Sequence, residues 1–257
     1  MDHTELVAQA ESNQARAAKP ISPAEPVSDL RAIPIRECGE PLADFTAISG
    51  VLQGRARFDY RRETLIRKGV AERLAAAAAS LAGRYRLAVI EGWRPPYIQR
   101  RMYASVWQRI KGDNPSWSDA RIRLFVNRFT APMNERVPPP HTTGGAMDID
   151  LVDPDGKPYD VTSPFERRDV KCFALDVPGL SQEALENRAI LSGALVSAGI
   201  TNYPSEYWHY SYGDQGWAYR GGHPAAIYGS ITPDGWAPEA RDDTDELLEY
   251  IYKPASH

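Results

Sequence analysis

The chain has 257 residues, 42% of them hydrophobic and 25% charged, a balance that fits a globular fold of one large domain or one domain with extensions. Its formal net charge of −4 excludes the basic excess that marks a nucleic-acid binder. No apolar run approaches the roughly 20 residues needed to cross a bilayer, so membrane partners are excluded as well.

Residues 1–28 are polar, alanine-rich and punctuated by proline, which predicts a flexible extension ahead of a folded domain over 29–237. The N-terminus lacks the apolar centre of a secretory signal, so the cytoplasm is the default compartment. Cys38 and Cys172 are too few for a disulfide framework and read as reduced thiols. "LRAIPIREC" (30–38) predicts an edge strand interrupted by Pro34. Val70, Leu74, Ala78 and Leu81 recur at helical spacing, predicting a helix over 63–82 that Gly83 ends. "YRLAVIEGW" (85–93) predicts a buried strand running into the proline-stiffened "RPP". Ile98, Met102, Val106 and Ile110 form the stripe of a second helix over 98–110, and a third is predicted over 119–129.

"VPPPH" cannot be regular structure, because consecutive prolines remove donors and fix the backbone. "AMDIDLVD" (146–153) alternates with strand period, and 154–181 reads as loop. Ser181 then caps a helix to about 198, with Leu185, Leu191 and Leu195 inward and Gly199 beyond its end. "NYPSEYWHYSYG" (202–213) and "WAYRGGHPAAIYGSI" (217–231) predict two aromatic strands turned around 213–216. The acidic tail from 238 predicts a short surface helix. This order gives an α+β class, a single compact domain with a small antiparallel sheet and flanking helices.

Two of the five histidines stand in sequence with structure around it. In "HTTGGAMDID" (141–150) the glycines permit a tight turn, so the following strand can bring a carboxylate beside His141. Asp148 and Asp150 share one strand face, so alternation does not choose between them. A capped loop histidine beside two solvated carboxylates fits the same residues. In "SEYWHY" Glu206 precedes His209 by three. His141, one aspartate and His209 could make the three-ligand set of a catalytic zinc, with Glu206 as the base toward its water. A regular strand would point Glu206 and His209 to opposite faces, so this reading needs a bend near Pro204 and Ser205; a packed aromatic hairpin needs none. Arg94 in "EGWRPP" leaves a buried strand and could stabilise an oxyanion, or make an ordinary loop ion pair.

Taken together, "HTTGGAMD", "SEYWH" and the upstream "GWRP" resemble the D-alanyl-D-alanine dipeptidases of the VanX type, within the clan of zinc D,D-peptidases that shares its fold with Hedgehog domains. The resemblance covers roughly 59–219 and implies a zinc metallopeptidase that cleaves a free D,D-dipeptide, most simply D-alanyl-D-alanine, to two D-amino acids. It implies one Zn2+ held by His141, Asp148 and His209, Glu206 as catalytic base and Arg94 as transition-state stabiliser. Asp150 is then left as a supporting or structural acid. Two departures stand out. Pro139 occupies the place of a family serine, and "VTSPFE" stands for the family's M-G-T-x-F-D. The second implies that Glu166 takes the substrate's ammonium with a longer arm. A D,D-carboxypeptidase acting on wall stem peptides, or a zinc-stabilised binding module, are the alternatives; the presence of Glu206 and Arg94 speaks against the module, since a structural zinc needs neither.

Overall fold

The structure is a computed structural model and describes residues 25–243, apart from 58–59, 82, 128–129 and 168. In chain order its strands are β1 (Leu42–Asp44), β2 (Val51–Gln53), β3 (Leu65–Arg67), β4 (Arg86–Glu91), β5 (Ala146–Val152), β6 (Thr201–Asn202) and β7 (His209–Ser211). The helices are α1 (Val27–Ala32), α2 (Lys68–Ser80), α3 (Pro96–Asp113), α4 (Asp119–Val126), α5 (Gln182–Ser197) and α6 (Gln215–Gly221).

Alternation along "AMDIDLV" organises the fold. Met147, Ile149 and Leu151 of β5 turn to one side of a five-stranded sheet ordered β2-β4-β5-β7-β6. There they join Leu87 and Val89 of β4 and Tyr210 of β7, under Val70, Leu74 and Ala77 of α2 and Ile190, Leu191 and Leu195 of α5. All seven residues of β5 are buried, so its second face, carrying Asp148 and Asp150, is covered too. The carboxylates are therefore not solvated, and the loop-and-solvent reading of them fails. A smaller cluster forms where Ile98, Met102, Val106 and Ile110 of α3 meet Ile122 and Val126 of α4.

The α+β class holds, with one amendment to the sheet. Four of its strands pair antiparallel, but β2 runs parallel to β4 because the intervening chain, α2 included, carries it back across the sheet. Register along β4 and β5 also shifts once. Val89 pairs with Ile149, yet Glu91 pairs with Asp148, so Ile90 is the extra residue of a bulge.

Four local expectations change. The helix expected over 63–82 begins at Lys68, because Leu65–Arg67 is drawn out by pairing with β1 and by Arg67 N donating to the Gly144 carbonyl at 2.8 Å. Residues 27–32 are helical rather than an edge strand, and Ile35 makes only an isolated bridge to Ala226. The second aromatic strand is instead α6, where Asp214 accepts from Trp217 N at 2.7 Å; the cap outweighs aromatic strand preference. Leu185 is exposed, and Ala184 and Arg188 take the inward positions of α5. The acidic tail beyond a short turn at Ala240–Asp243, and residues 1–24 of the N-terminal extension, lie outside the described residues. Among the described residues no helix is long and apolar enough to cross a membrane.

Arg188 ties the loops between β5 and α5 to the helix. Its guanidinium donates to the carbonyls of Val161 (2.7 Å), Cys172 (2.7 Å), Ala174 (2.6 Å) and Leu175 (3.0 Å) and lies 4.2 Å from the Tyr207 ring centroid. Burial pushes its pKa down, which marks how far the cation is withdrawn from water. Each buried acceptor left unpaired costs about 1–3 kcal/mol, so Arg188→Met is expected to lower the unfolding free energy by at least about 3 kcal/mol in a denaturant titration. A loss below about 1 kcal/mol would show that the four carbonyls find other partners.

Candidate metal centre

The proline run delivers the chain into a 3-10 turn, Pro140–Thr143, that Gly144 closes in the left-handed conformation (φ 70°). Within it the Thr142 hydroxyl donates to the Pro139 carbonyl at 2.8 Å and the Thr143 hydroxyl to the Pro140 carbonyl at 2.6 Å. Gly145 fits where a Cβ would meet the Tyr212 carbonyl at 2.6 Å, so the turn presses directly onto the strand leaving β7. This fixes the His141 ring. Its Nδ1 lies 2.9 Å from the Gly92 carbonyl, which can only accept, so Nδ1 carries the proton and the Nε2 lone pair faces inward.

Asp148 pairs with His209 across β5 and β7. Its Oδ1 lies 3.0 Å from His209 Nδ1 and 3.3 Å from His141 Nε2. Each of the three residues is 6% exposed, and one donor atom from each falls within 4.8 Å of the others. Two donors about 2.0–2.1 Å from a tetrahedral ion stand about 3.3–3.4 Å apart, so both Asp148–histidine separations already suit a shared ion. Burial alone would raise the Asp148 carboxyl, but His141, His209 and Arg57 outweigh it and hold it well below the usual carboxylate range. His209 moves the opposite way, because Asp148 and Glu206 outweigh its burial. A cation would take over the attraction these groups now exert on one another. Asp150 stands apart: it pairs with Ala88 across the sheet, and its Oδ2 accepts from Arg167.

Glu206 and His209 do converge, through a turn. His209 N donates to the Glu206 carbonyl at 3.1 Å and Glu206 N to the Tyr203 carbonyl at 2.9 Å, so the chain doubles back just before β7. Asn202 Nδ2 clamps the turn, reaching the carbonyls of Glu206 (2.9 Å) and His209 (3.0 Å). Burial raises the Glu206 carboxyl above its ordinary value; His209, Arg57 and His141 pull it down and Asp148 pushes it up, which places all four in its electrostatic reach.

Arg94 is buried rather than a surface arginine. Its Nε donates to Glu91 at 2.9 Å and to the Tyr60 hydroxyl at 3.1 Å, its Nη1 to Gln99 at 2.8 Å, and its backbone N to the His141 carbonyl at 3.1 Å. The Tyr60 hydroxyl in turn donates to Glu91. Burial would lower the guanidinium pKa, but Glu91, Tyr60 and Asp148 more than offset it, and the cation is held charged. Glu166 is exposed on the loop after β5, and its described contacts include none with the histidines or Asp148.

Three members of the site are missing from the sequence reading. Glu91 had a faint signal, an acid ending an otherwise apolar strand three residues before Arg94. Tyr60 and Arg57 had none, since each reaches the site by long-range folding. Arg57 lies 3.5 Å from Asp148 and 4.7 Å above the Trp208 ring.

The family model described as D-ala-D-ala dipeptidase matches residues 44–227, a span that contains every residue of this site. A D-alanyl-D-alanine dipeptidase of Synechocystis sp. is 30% identical over 242 residues, covering 80% of this chain and 98% of that protein. Among solved structures, a zinc complex of the vancomycin resistance D,D-pentapeptidase VanY is similar at 16% identity and a TM-score of 0.38, over 75% of this chain and 95% of that one. Matched by the family model over most of its length, and to the cyanobacterial relative over nearly all of that protein, the chain belongs to the D-ala-D-ala dipeptidase family.

Proposed function

We propose that this protein is a zinc metallopeptidase that hydrolyses free D-alanyl-D-alanine to two molecules of D-alanine. The observation that carries the reading is the convergence of His141 Nε2, Asp148 Oδ1 and His209 Nδ1 in one buried cluster, with Glu206 and Arg94 beside it. Two imidazoles and one carboxylate are a donor set suited to zinc and leave a coordination position open. A zinc ion held there supplies Lewis acidity toward a water and toward the scissile carbonyl.

The chain's own residues do the rest. Glu206, as carboxylate, takes a proton from the water whose oxygen adds to the peptide carbonyl carbon. It then delivers that proton to the amine nitrogen as the C–N bond breaks. Arg94 meets the oxyanion with a guanidinium already fixed by Glu91, Tyr60 and Gln99, so little reorganisation opposes the charge that develops. Glu166 is the carboxylate assigned to the substrate's ammonium end; the neighbouring Arg167 reaches Asp150, which brings that loop toward the same sheet face.

The test is turnover of D,D-, L,D- and L,L-alanyl-alanine and of an acylated longer peptide ending in D-Ala-D-Ala, before and after chelation. Free D-Ala-D-Ala is expected to be the best substrate, with activity lost on chelation and restored by zinc. Release of D-alanine from the longer peptide alone would replace this reading with a D,D-carboxypeptidase.

A further inference from the structure

We propose that Arg57 binds the free carboxylate of the dipeptide and so makes this site select for a substrate that ends there. The proposal rests on the dipeptidase reading above and adds the residue that recognises the anionic end.

Arg57 is more open to solvent than the aspartate it pairs with. Its side chain is 30% exposed where that of Asp148 is 8%, so it stands at the mouth rather than the floor. Its guanidinium lies 4.7 Å from the Trp208 ring centroid, a cation–π contact that holds the charge in place while leaving its edge available for hydrogen bonds. Its one described ion pair is to Asp148 Oδ2 at 3.5 Å, long for a direct charge-assisted bond.

That partner is the one a metal would claim. With a divalent ion on Asp148, the carboxylate's charge is shared and the ion repels the guanidinium. Counting Asp148, Glu206 and Glu91 against Arg57, Arg94 and a divalent ion, the site then carries one net positive charge, with the Asp150–Arg167 pair neutral beside it. A monoanion with a planar carboxylate matches that surplus and the fork of a guanidinium. Arg94 is the less suitable receptor, because Glu91 already occupies its Nε and Gln99 its Nη1. Arg57 therefore serves the bound substrate, and Arg94 the transition state.

The experiment compares D-Ala-D-Ala with its C-terminal amide, using the zinc-loaded protein and its Arg57→Gln and Arg57→Lys variants. The unsubstituted protein is expected to prefer the acid. Arg57→Gln should raise KM for the acid roughly 10- to 100-fold, with kcat and the amide's KM little changed, and Arg57→Lys should recover part of the loss. Zinc content and thermal midpoint report whether the variants fold. Equal effects on acid and amide, or a kcat loss with a shifted acid limb common to both substrates, would mean that Arg57 acts through Glu206, and would overturn the proposal. Calorimetric binding of the two ligands to Glu206→Gln and to Glu206→Gln/Arg57→Gln gives an answer that needs no turnover. If the unsubstituted protein hydrolyses neither ligand, the dipeptidase reading falls; if both Glu206 variants bind the acid equally well, or neither binds it, the Arg57 assignment falls.

Discussion

Glu206→Gln is expected to lower kcat on D-Ala-D-Ala by about 10²–10⁴-fold while zinc remains bound, because a positioned general base contributes on that order. Gln keeps the size and the turn that places residue 206 before β7, and it removes only the proton acceptor. Metal content by atomic absorption beside single-turnover rates checks both halves, and normal turnover in the variant would remove Glu206 from its assigned role. The same substitution has a signature in the metal-free protein. Burial raises the Glu206 carboxyl in the folded state, so folding binds its proton more tightly than the unfolded chain does. That contribution to stability is fully present below the ordinary glutamate pKa and is lost as pH rises through the raised value. Metal-free Glu206→Gln should therefore gain stability over the parent at neutral pH and lose the advantage in acid. A thermal midpoint difference that ignores pH would show that Glu206 is not desolvated.

The second large effect separates two neighbouring aspartates. Asp148→Asn should weaken zinc binding by more than about 100-fold, since changes in groups that merely support ligands already cost about 10–100-fold. Asp150→Asn should leave zinc affinity roughly unchanged, because Asp150 faces Arg167 and not the histidines. Competition against a chromophoric chelator measures both. Equal losses would mean that the carboxylates act as one unit, and zinc retained by Asp148→Asn would dissolve the proposed ligand set.

Much of the scaffold can be read from the chain because it rests on local periodicity. The stripe Ile98, Met102, Val106 and Ile110 and the alternation Met147, Ile149 and Leu151 each belong to one element, and each is buried as its period demands. The site is harder, since it depends on registers between elements. Alternation leaves Asp148 and Asp150 equivalent; pairing with His209 across β7 distinguishes them. Likewise, strand geometry argues against Glu206 beside His209, and only the turn held by Asn202 brings them together. Arg57 and Tyr60 have no local signature at all. Residues 217–231 mislead for a related reason: aromatic content suggests a strand, while the single side chain of Asp214 commits the chain to a helix.

The extra residue in β4 carries a consequence for anyone altering this chain. Upstream of Ile90 the residues opposite the odd-numbered positions of β5 are apolar and face the helices; downstream, Glu91 stands opposite Asp148 and faces the histidines. The extra residue thus breaks the usual rule that residues two apart share a face: Val89 and Glu91 lie on opposite sides of the sheet. Removing Ile90 would not simply shorten a strand. It would close the bulge: Val89 and Glu91 become neighbours opposite Ile149 and Asp148, so Glu91 keeps its partner and its side of the sheet while the local twist is lost. The bulge is therefore a spare position: the strand should tolerate one residue fewer there far better than one residue more, because losing Ile90 keeps the Glu91–Asp148 pairing and an added residue must widen the bulge or break it.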